Sequence, residues 1–447
     1  MIPDTPEPRH RLASVEAGGS ILLYGLDGLL LAAGGVLLAR AFGPQGKGAI
    51  TLMVALMQRT TLLLTLGVEV ALVHFGGRRT LPARQLPSIA LRAGALLGIA
   101  NAVIAGTVLW TVFRDDVGSY GLRWATPLLV VLPLASVSAF VVPLVQLKGR
   151  LLEANAILAV GGLLGTAGAA AAFFAHFSLG TYLVILAFAS LVEYGCTVLL
   201  GFRSGALSQR EPPDRDTVRK VVGYGLRSHV GTVFQGVNDR FDVFVIALIV
   251  SVAAVGVYSV AVAAAEVLSF IPIAVGLVLL HRGSIQSKDE VARVVAVGSR
   301  LTLLIMVAGA VVLGVAGSRL IPFVFGAAFA RGATTLRLLL PGVCALGLWR
   351  VIVQGLAGWG HPEAKSVSAG AAAVLTVALD LALTPRWGIN GAAVASTVAY
   401  SGAFAVAAVY AARVLGIGLV DLVVPRARDV SAVIGEVRTQ LASRRAG

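Results

Sequence analysis

The sequence predicts an all-α, polytopic membrane protein with twelve transmembrane helices in two pseudo-symmetric six-helix lobes. Two observations carry that fold class. Apolar stretches of membrane-crossing length fill the chain almost from end to end, and the short connectors between them are alternately rich and poor in arginine. A hydrocarbon core about 30 Å thick takes about 20 apolar residues at 1.5 Å rise per residue. A content of 57% hydrophobic and 13% charged residues suits repeated crossings and leaves no room for a soluble domain. Backbone groups find no water at that depth, so each stretch is a helix or a strand of a closed barrel. Barrel strands are about 10 residues long with alternating polarity, and these stretches are longer and uniformly apolar, so they are helices.

In chain order the spans fall at 18–41, 48–75, 87–113, 125–147, 154–176, 180–202, 222–249, 253–280, 298–318, 338–358, 366–384 and 388–414. Basic residues mark the cytoplasmic connectors. One side collects Arg78, Arg79, Arg84, Lys148, Arg150, Arg203, Arg210, Arg215, Arg219, Lys220, Arg282, Lys288, Arg293, Arg300 and Lys365. The other side has Lys47, Arg114, Arg123, Arg319, Arg331, Arg337 and Arg386. Both termini are basic and join the richer side, as an even number of spans requires, so both are expected in the cytoplasm. Trp110, Trp124, Trp359 and Trp387 sit at or near span ends, where an indole prefers the headgroup layer.

The net charge of +14 is then topology signal and anionic-lipid contact, and no nucleic-acid partner is expected. Met1 to Glu16 is polar and the first apolar run continues to span length, so no cleavable signal peptide is expected. Cys196 and Cys344 lie inside spans, and no ligand spacing for a metal is present, so neither a disulfide framework nor a metal site is expected.

The segment from Gly205 to Lys220, with Pro212 and Pro213, is the longest polar interruption and divides the chain six and six. The expected organisation is an N-terminal lobe at 1–204, a cytoplasmic bridge at 205–221, a C-terminal lobe at 222–415 and an amphipathic cytoplasmic tail at 416–447. Tyr24-Gly25-Leu26 and Tyr224-Gly225-Leu226 recur near the starts of spans 1 and 7. An internal duplication with an even span count gives two halves of the same orientation, with substrate bound between them. In the tail, Val430, Val433, Ile434, Val437 and Leu441 form an apolar stripe beside Arg438, Arg444 and Arg445, as in a helix lying on the inner leaflet. Gly34-Gly35, Gly161-Gly162 and the Ala169–Ala172 tract are small-residue surfaces for close helix packing.

Local phrases carry a resemblance. Leu38-Ala39-Arg40-Ala41-Phe42-Gly43-Pro44-Gln45-Gly46 joins spans 1 and 2, Asn238-Asp239-Arg240-Phe241-Asp242 lies in span 7, and Val255-Gly256-Val257-Tyr258-Ser259-Val260-Ala261 opens span 8. Ile321-Pro322-Phe323-Val324-Phe325-Gly326, Leu336 to Gly342 and Gly388-Ile389-Asn390-Gly391-Ala392-Ala393 follow in order. In these phrases the chain resembles the oligosaccharide (polysaccharide) flippases of the multidrug, oligosaccharidyl-lipid and polysaccharide exporter superfamily. The resemblance implies a V-shaped pair of lobes around a central cavity that opens alternately to either side. Its implied substrate is a polyprenyl-pyrophosphate-linked glycan, a precursor of a polysaccharide or of the cell envelope, moved across the cytoplasmic membrane. Such a head group cannot cross hydrocarbon unaided, because each unpaired charge or hydroxyl costs about several kcal/mol to desolvate.

Intramembrane polar residues are therefore the candidate site. The candidate substrate contacts are Arg59 in span 2, Asn238, Arg240 and Asp242 in span 7, and Arg350 and Gln354 on one face of span 10. Gln235, Asn238, Asp239 and Asp242 share an arc at 3.6 residues per turn, and Arg240 points away from it. Arg240 either reaches the cavity or neutralises an acid such as Asp27 or Glu266. Asp27 and Glu266, deep in their spans, are the candidates for coupling to a proton or sodium ion, whereas Glu69 and Asp380 lie close enough to span ends to snorkel or pair, Asp380 with Arg386. His229 is the histidine well inside a span.

No catalytic constellation or cofactor is expected, and the connector from Gly317 to Arg337, the longest on the outside, carries no acid. Glycan polymerase and glycosyltransferase machinery are the expected partners, along with membrane lipids, and the protein is expected to be a monomer. Two alternatives stay open: a flippase for the peptidoglycan precursor, whose branch carries an arginine cluster in the first helix where this chain has Asp27, and a cation-coupled drug or metabolite antiporter of the same fold.

Overall fold

Gly43 and Pro44 shape the start of the chain. The first helix, α1 (Glu7–Leu64), contains the first expected span and the first part of the second, and Gly43 interrupts its helical geometry with φ 62° and ψ −170°. A side chain is strained there, and the proline ring that follows removes one helical hydrogen bond. The computed structural model describes residues 7–113, 125–283, 287–424 and 426. The expected tail helix lies outside the described residues.

After α1 come α2 (Val68–Arg78), α3 (Leu86–Thr111), α4 (Thr126–Leu147), α5 (Leu151–Phe174), α6 (Leu179–Arg203) and α7 (Arg215–Ile249). The rest of the chain forms α8 (Val252–Glu266), α9 (Phe270–Gly283), α10 (Lys288–Phe325), α11 (Gly332–Gly358), α12 (Glu363–Trp387), α13 (Ile389–Leu415) and the short α14 (Leu419–Val423). No strand occurs among the described residues. Ten helical segments there are long and apolar enough to cross a membrane. One of them, Gly25–Leu64, covers parts of the first two expected spans, and α7 is not among the ten. The cause is local: Gln235, Asn238, Asp239, Arg240 and Asp242 fall within three turns of α7.

Two expectations need correction. The connector at 317–337 is mostly helix, since α10 runs to Phe325 and α11 starts at Gly332. Span 2 is also not one helix: α1 stops at Leu64, Leu66 and Gly67 take positive φ of 50° and 69°, and α2 resumes at Val68. The break is tolerated in an apolar setting because its carbonyls are served locally. Thr65 Oγ1 donates to Leu62 O at 3.0 Å, and the buried His229 of α7 reaches Leu63 O through Nε2 at 3.2 Å.

The chain divides into two compact units, Met1–Val233 with Ser251–Gly256, and Phe234–Val250 with Val257–Gly447. In the first, α3 lies so close to α4 that a Cβ on Gly94 would stand 2.7 Å from the Val137 Cα, and one on Gly98 2.6 Å from the Pro133 Cα. Packing without a hydrophobic drive requires such small residues. Gly48 and Gly256 make a second close approach, their built Cβ positions lying 1.8 Å from Val252 O and 2.0 Å from Pro44 O. Residues 205–221 belong to this unit, and the segment before α7 is strapped to the α2–α3 connector. Glu211 N donates to Arg84 O at 2.9 Å, Arg84 pairs with the Glu211 carboxylate at 3.2 Å, and Gln85 donates to Asp214 at 3.1 Å. Asp214 also caps α7 by accepting from Thr217 N at 2.7 Å, and these bonds hold its carboxyl below the usual carboxylate range.

The second unit is built on α11 and α13, against which α10, α9 and α12 pack. A Cβ on Gly342 would meet the Thr397 Cα at 2.5 Å, and the Thr397 hydroxyl donates to Leu338 O at 2.5 Å. Trp349 donates its indole N–H to Ser368 at 2.8 Å, which satisfies a buried donor. Arg300 of α10 donates to Asp421 O at 2.7 Å and so ties α14 to this unit.

Candidate functional site

Asn238 and Asp242 are one turn apart on α7, and Thr376 and Asp380 are one turn apart on α12. Thr376 Oγ1 donates to Asn238 Oδ1 at 2.6 Å. One turn further along both helices come the two carboxylates, both buried, with Asp380 in the electrostatic field of Asp242. Asp242 has donors on both oxygens: Val243 N donates to Oδ1 at 2.8 Å, and the Tyr258 hydroxyl of α8 donates to Oδ2. Ser396 Oγ of α13 lies 3.3 Å from that hydroxyl. Asp380 is different. It is 0% exposed, and neither of its oxygens has a hydrogen-bond partner among the described residues. Thr384 Oγ1, one turn on and equally buried, also has none.

This corrects the expectation that Asp380 snorkels or pairs with Arg386. Arg386 donates instead to Ala382 O at 3.4 Å. The polar spacing at Thr376, Asp380 and Thr384 on α12 was a signal in the sequence, but nothing in it said that this face turns inward.

Arg240 meets Glu266 at 3.4 Å, with its side chain a third exposed and that of Glu266 half exposed. Of the two acids named beforehand as its partner, the structure selects Glu266. In the first unit, Asp27 and Glu193 both press on the Gly161-Gly162 step of α5. A Cβ on Gly161 would be 2.2 Å from Glu193 Oε2, and one on Gly162 would be 2.1 Å from Asp27 Oδ1. That step, expected to serve close helix packing, accommodates carboxylates.

The cations expected at the substrate are separated along the chain. Arg59 is half-buried on α1 in the first unit. In the second, Arg350 is half-buried on α11, and its Nη1 is buried with no hydrogen-bond partner among the described residues. Lys365 stands in the electrostatic field of both Arg350 and Asp239. Gln354, one turn after Arg350, packs its Cγ 3.1 Å from the built Cβ of Gly276 on α9. Among the described residues no three or more His, Cys, Asp or Glu side chains form a metal cluster.

Residues 37–333 match the family described as polysaccharide biosynthesis protein. No curated protein matches the chain. Among solved structures, the chain is similar to a lipid II flippase MurJ in an inward closed conformation, with TM-score 0.74, 12% identity, and 90% of this chain and 88% of that one covered. It is also similar to an inward-facing multidrug resistance MATE family transporter of the MOP superfamily, with TM-score 0.64, 12% identity, and 89% and 98% covered. A MOP superfamily transporter from Pyrococcus furiosus aligns with TM-score 0.58, 11% identity, and 91% and 95% covered. At these identities the likeness establishes the fold alone, which is all-helical among the described residues.

Proposed function

The chain belongs to the polysaccharide biosynthesis protein family, and from that membership we propose that it is a flippase for a polyprenyl-pyrophosphate-linked oligosaccharide, a polysaccharide or cell-envelope glycan precursor. It works by alternating access in the cytoplasmic membrane, with both termini in the cytoplasm, as the arginine distribution favours.

The observation that carries the reading is the family match together with an intramembrane guanidinium, Arg350, that keeps a buried N–H without a partner among the described residues. A buried donor without an acceptor costs free energy, and a passing pyrophosphate offsets that cost through charge-assisted hydrogen bonds of about 1.5–3 kcal/mol each. Gln354, one turn from Arg350 on α11, supplies a polar contact for sugar. Arg240, paired with Glu266, is structural in this account.

Movement is coupled to a monovalent cation at Asp380. A fully buried carboxylate with no donor does not persist as a bare anion. It takes up a cation, which is then available as a second load in the transport cycle. Glu266, engaged by Arg240, gives way to Asp380 as coupling candidate in the second unit. Asp27, with Glu193 beside it, remains the candidate in the first.

The test is reconstitution. Purified protein in proteoliposomes should move a lipid-linked oligosaccharide, read as its accessibility to an external glycosidase or lectin. Movement of the peptidoglycan precursor with no movement of lipid-linked oligosaccharide would establish the second reading, which the similarity to MurJ favours and the absence of arginine before Arg40 in span 1 disfavours. Extrusion of small cationic drugs alone would establish the antiporter.

A further inference from the structure

We infer that His229 and Asn101 are positioning residues that clamp the last turn of α1 and so fix where the Arg59 guanidinium stands. The clamp acts on transport through Arg59 as a substrate contact, and in this it rests on the flippase reading proposed above.

α1 stops at Leu64, five residues after Arg59, within an apolar stretch. The last carbonyls of a helix have no N–H within it to serve them, so helix ends fray unless something else supplies the donors. Leu63 matters most to Arg59, because in an α-helix the N–H of a residue one turn further on serves each carbonyl. If the final turn loosens, the backbone of Arg59 loosens with it.

Two buried polar side chains from other helices hold that turn. His229 of α7 is 6% exposed, and its Nε2 lies 3.2 Å from Leu63 O. A carbonyl only accepts, so Nε2 carries the proton and donates. Asn101 of α3 is 0% exposed and donates from Nδ2 to Thr61 Oγ1 at 2.7 Å, while Thr61 donates its own proton to Met57 O at 2.7 Å. Thr61 and Leu63 lie two and four residues beyond Arg59, and all of these groups belong to the first unit.

The remaining polar atoms of the two side chains, His229 Nδ1 and Asn101 Oδ1, are buried with no hydrogen-bond partner among the described residues. An imidazole and an amide are costly to hold in an apolar interior. Each makes its side-chain hydrogen bond to the end of α1 and not to its own helix. Local sequence prepares the contact on α7: Gly225 precedes His229 by one turn, and a Cβ there would stand 2.7 Å from Leu66 O. The glycine lets α7 come close enough for His229 to reach the Leu63 carbonyl.

The experiment measures flipping of a lipid-linked oligosaccharide by the full chain in proteoliposomes as its concentration is varied, with thermal unfolding of each variant alongside. Arg59→Ala should raise the half-saturating concentration at least about tenfold, the scale of one hydrogen bond to a charged group. His229→Leu and Asn101→Leu should each raise it at least about threefold and leave the maximal rate within about twofold of wild type, the pattern of weakened binding. His229→Gln, whose amide can donate from near the Nε2 position, should recover most of the loss. In the Arg59→Ala background the two leucine substitutions should add nothing further, because the clamp acts through the arginine. Losses that multiply in that background overturn the clamp, as does a folded His229→Leu protein with the wild-type half-saturating concentration. Thr61→Val, close in shape to threonine, removes the Asn101 acceptor and serves if the leucine variants do not fold. An Arg59→Ala protein with unchanged half-saturation overturns Arg59 as a contact and the clamp with it. A wild-type protein that moves no lipid-linked oligosaccharide overturns the flippase reading itself, so the failures are told apart.

Discussion

Replacing Asp380 with alanine is expected to stabilise the protein in cation-free solution while abolishing coupled transport. Asp380 is fully buried, and neither of its oxygens has a partner among the described residues. Each buried polar atom without a partner costs about 1–3 kcal/mol, so the pair costs about 2–6 kcal/mol. Alanine removes both, is favoured over aspartate in a helix by about 0.5 kcal/mol, and leaves a cavity of three heavy atoms that costs under about 1 kcal/mol. The net expectation is a gain of about 1.5–5.5 kcal/mol. Denaturation of the purified protein in detergent, with Na⁺ replaced by a large organic cation, measures it. Adding Na⁺ should then close the gap from the wild-type side, by about 2.7 kcal/mol at a hundredfold excess over the dissociation constant, and leave Asp380→Ala unmoved. If Asp380→Ala is less stable than wild type without cation, the carboxylate has a protein partner and the reasoning fails. Equal stabilisation of both proteins by Na⁺ would place the ion elsewhere.

Four further outcomes are expected. Arg240→Ala should lose transport and regain it when Glu266→Gln is added, since the 3.4 Å pair leaves an uncompensated acid once the arginine goes; no recovery would return Arg240 to the substrate. Arg350→Ala should reach the membrane at normal levels and fail in flipping, with Arg350→Lys retaining part of the rate where charge rather than a bidentate fork is needed; poor membrane levels would make it a packing residue. Gly225→Ala should destabilise the protein by at least about 2 kcal/mol, because its Cβ would stand 2.7 Å from Leu66 O, whereas Gly223→Ala, with nothing within 4 Å, should be silent by the same unfolding assay. Single cysteines at Lys148 and Arg293 should react with membrane-impermeant reagent from the cytoplasmic side, and labelling from outside would overturn the orientation.

How much was legible in the sequence differed between elements. Helical class and most span positions followed from length and apolarity, and the interruption around Gly43 was visible as the phrase joining two spans. The break at Leu66–Gly67 was not, because a glycine within an apolar run is usual in membrane helices. It becomes a break only where Gly225 lets α7 approach and His229 serves the Leu63 carbonyl. The polar arc of α7 was legible from helical periodicity, as was the choice of Asp27 or Glu266 as partner for Arg240. Selecting Glu266 required the fold.

What the sequence determined by itself is the kind of molecule. The bilayer imposes one rule on every residue, that backbone groups pair internally and side chains be apolar over about 20 positions, and a rule that acts locally can be read locally. The tertiary structure alone decided which charged groups are satisfied. Asp242 and Asp380 are both aspartates within expected spans. Tyr258, 16 residues beyond the first, donates to Asp242, and among the described residues no donor reaches the second. Helical periodicity places a residue on a face, but the neighbour that the face meets comes from distant parts of the chain, and for a buried carboxylate that neighbour decides whether it is an anchor or a binding site.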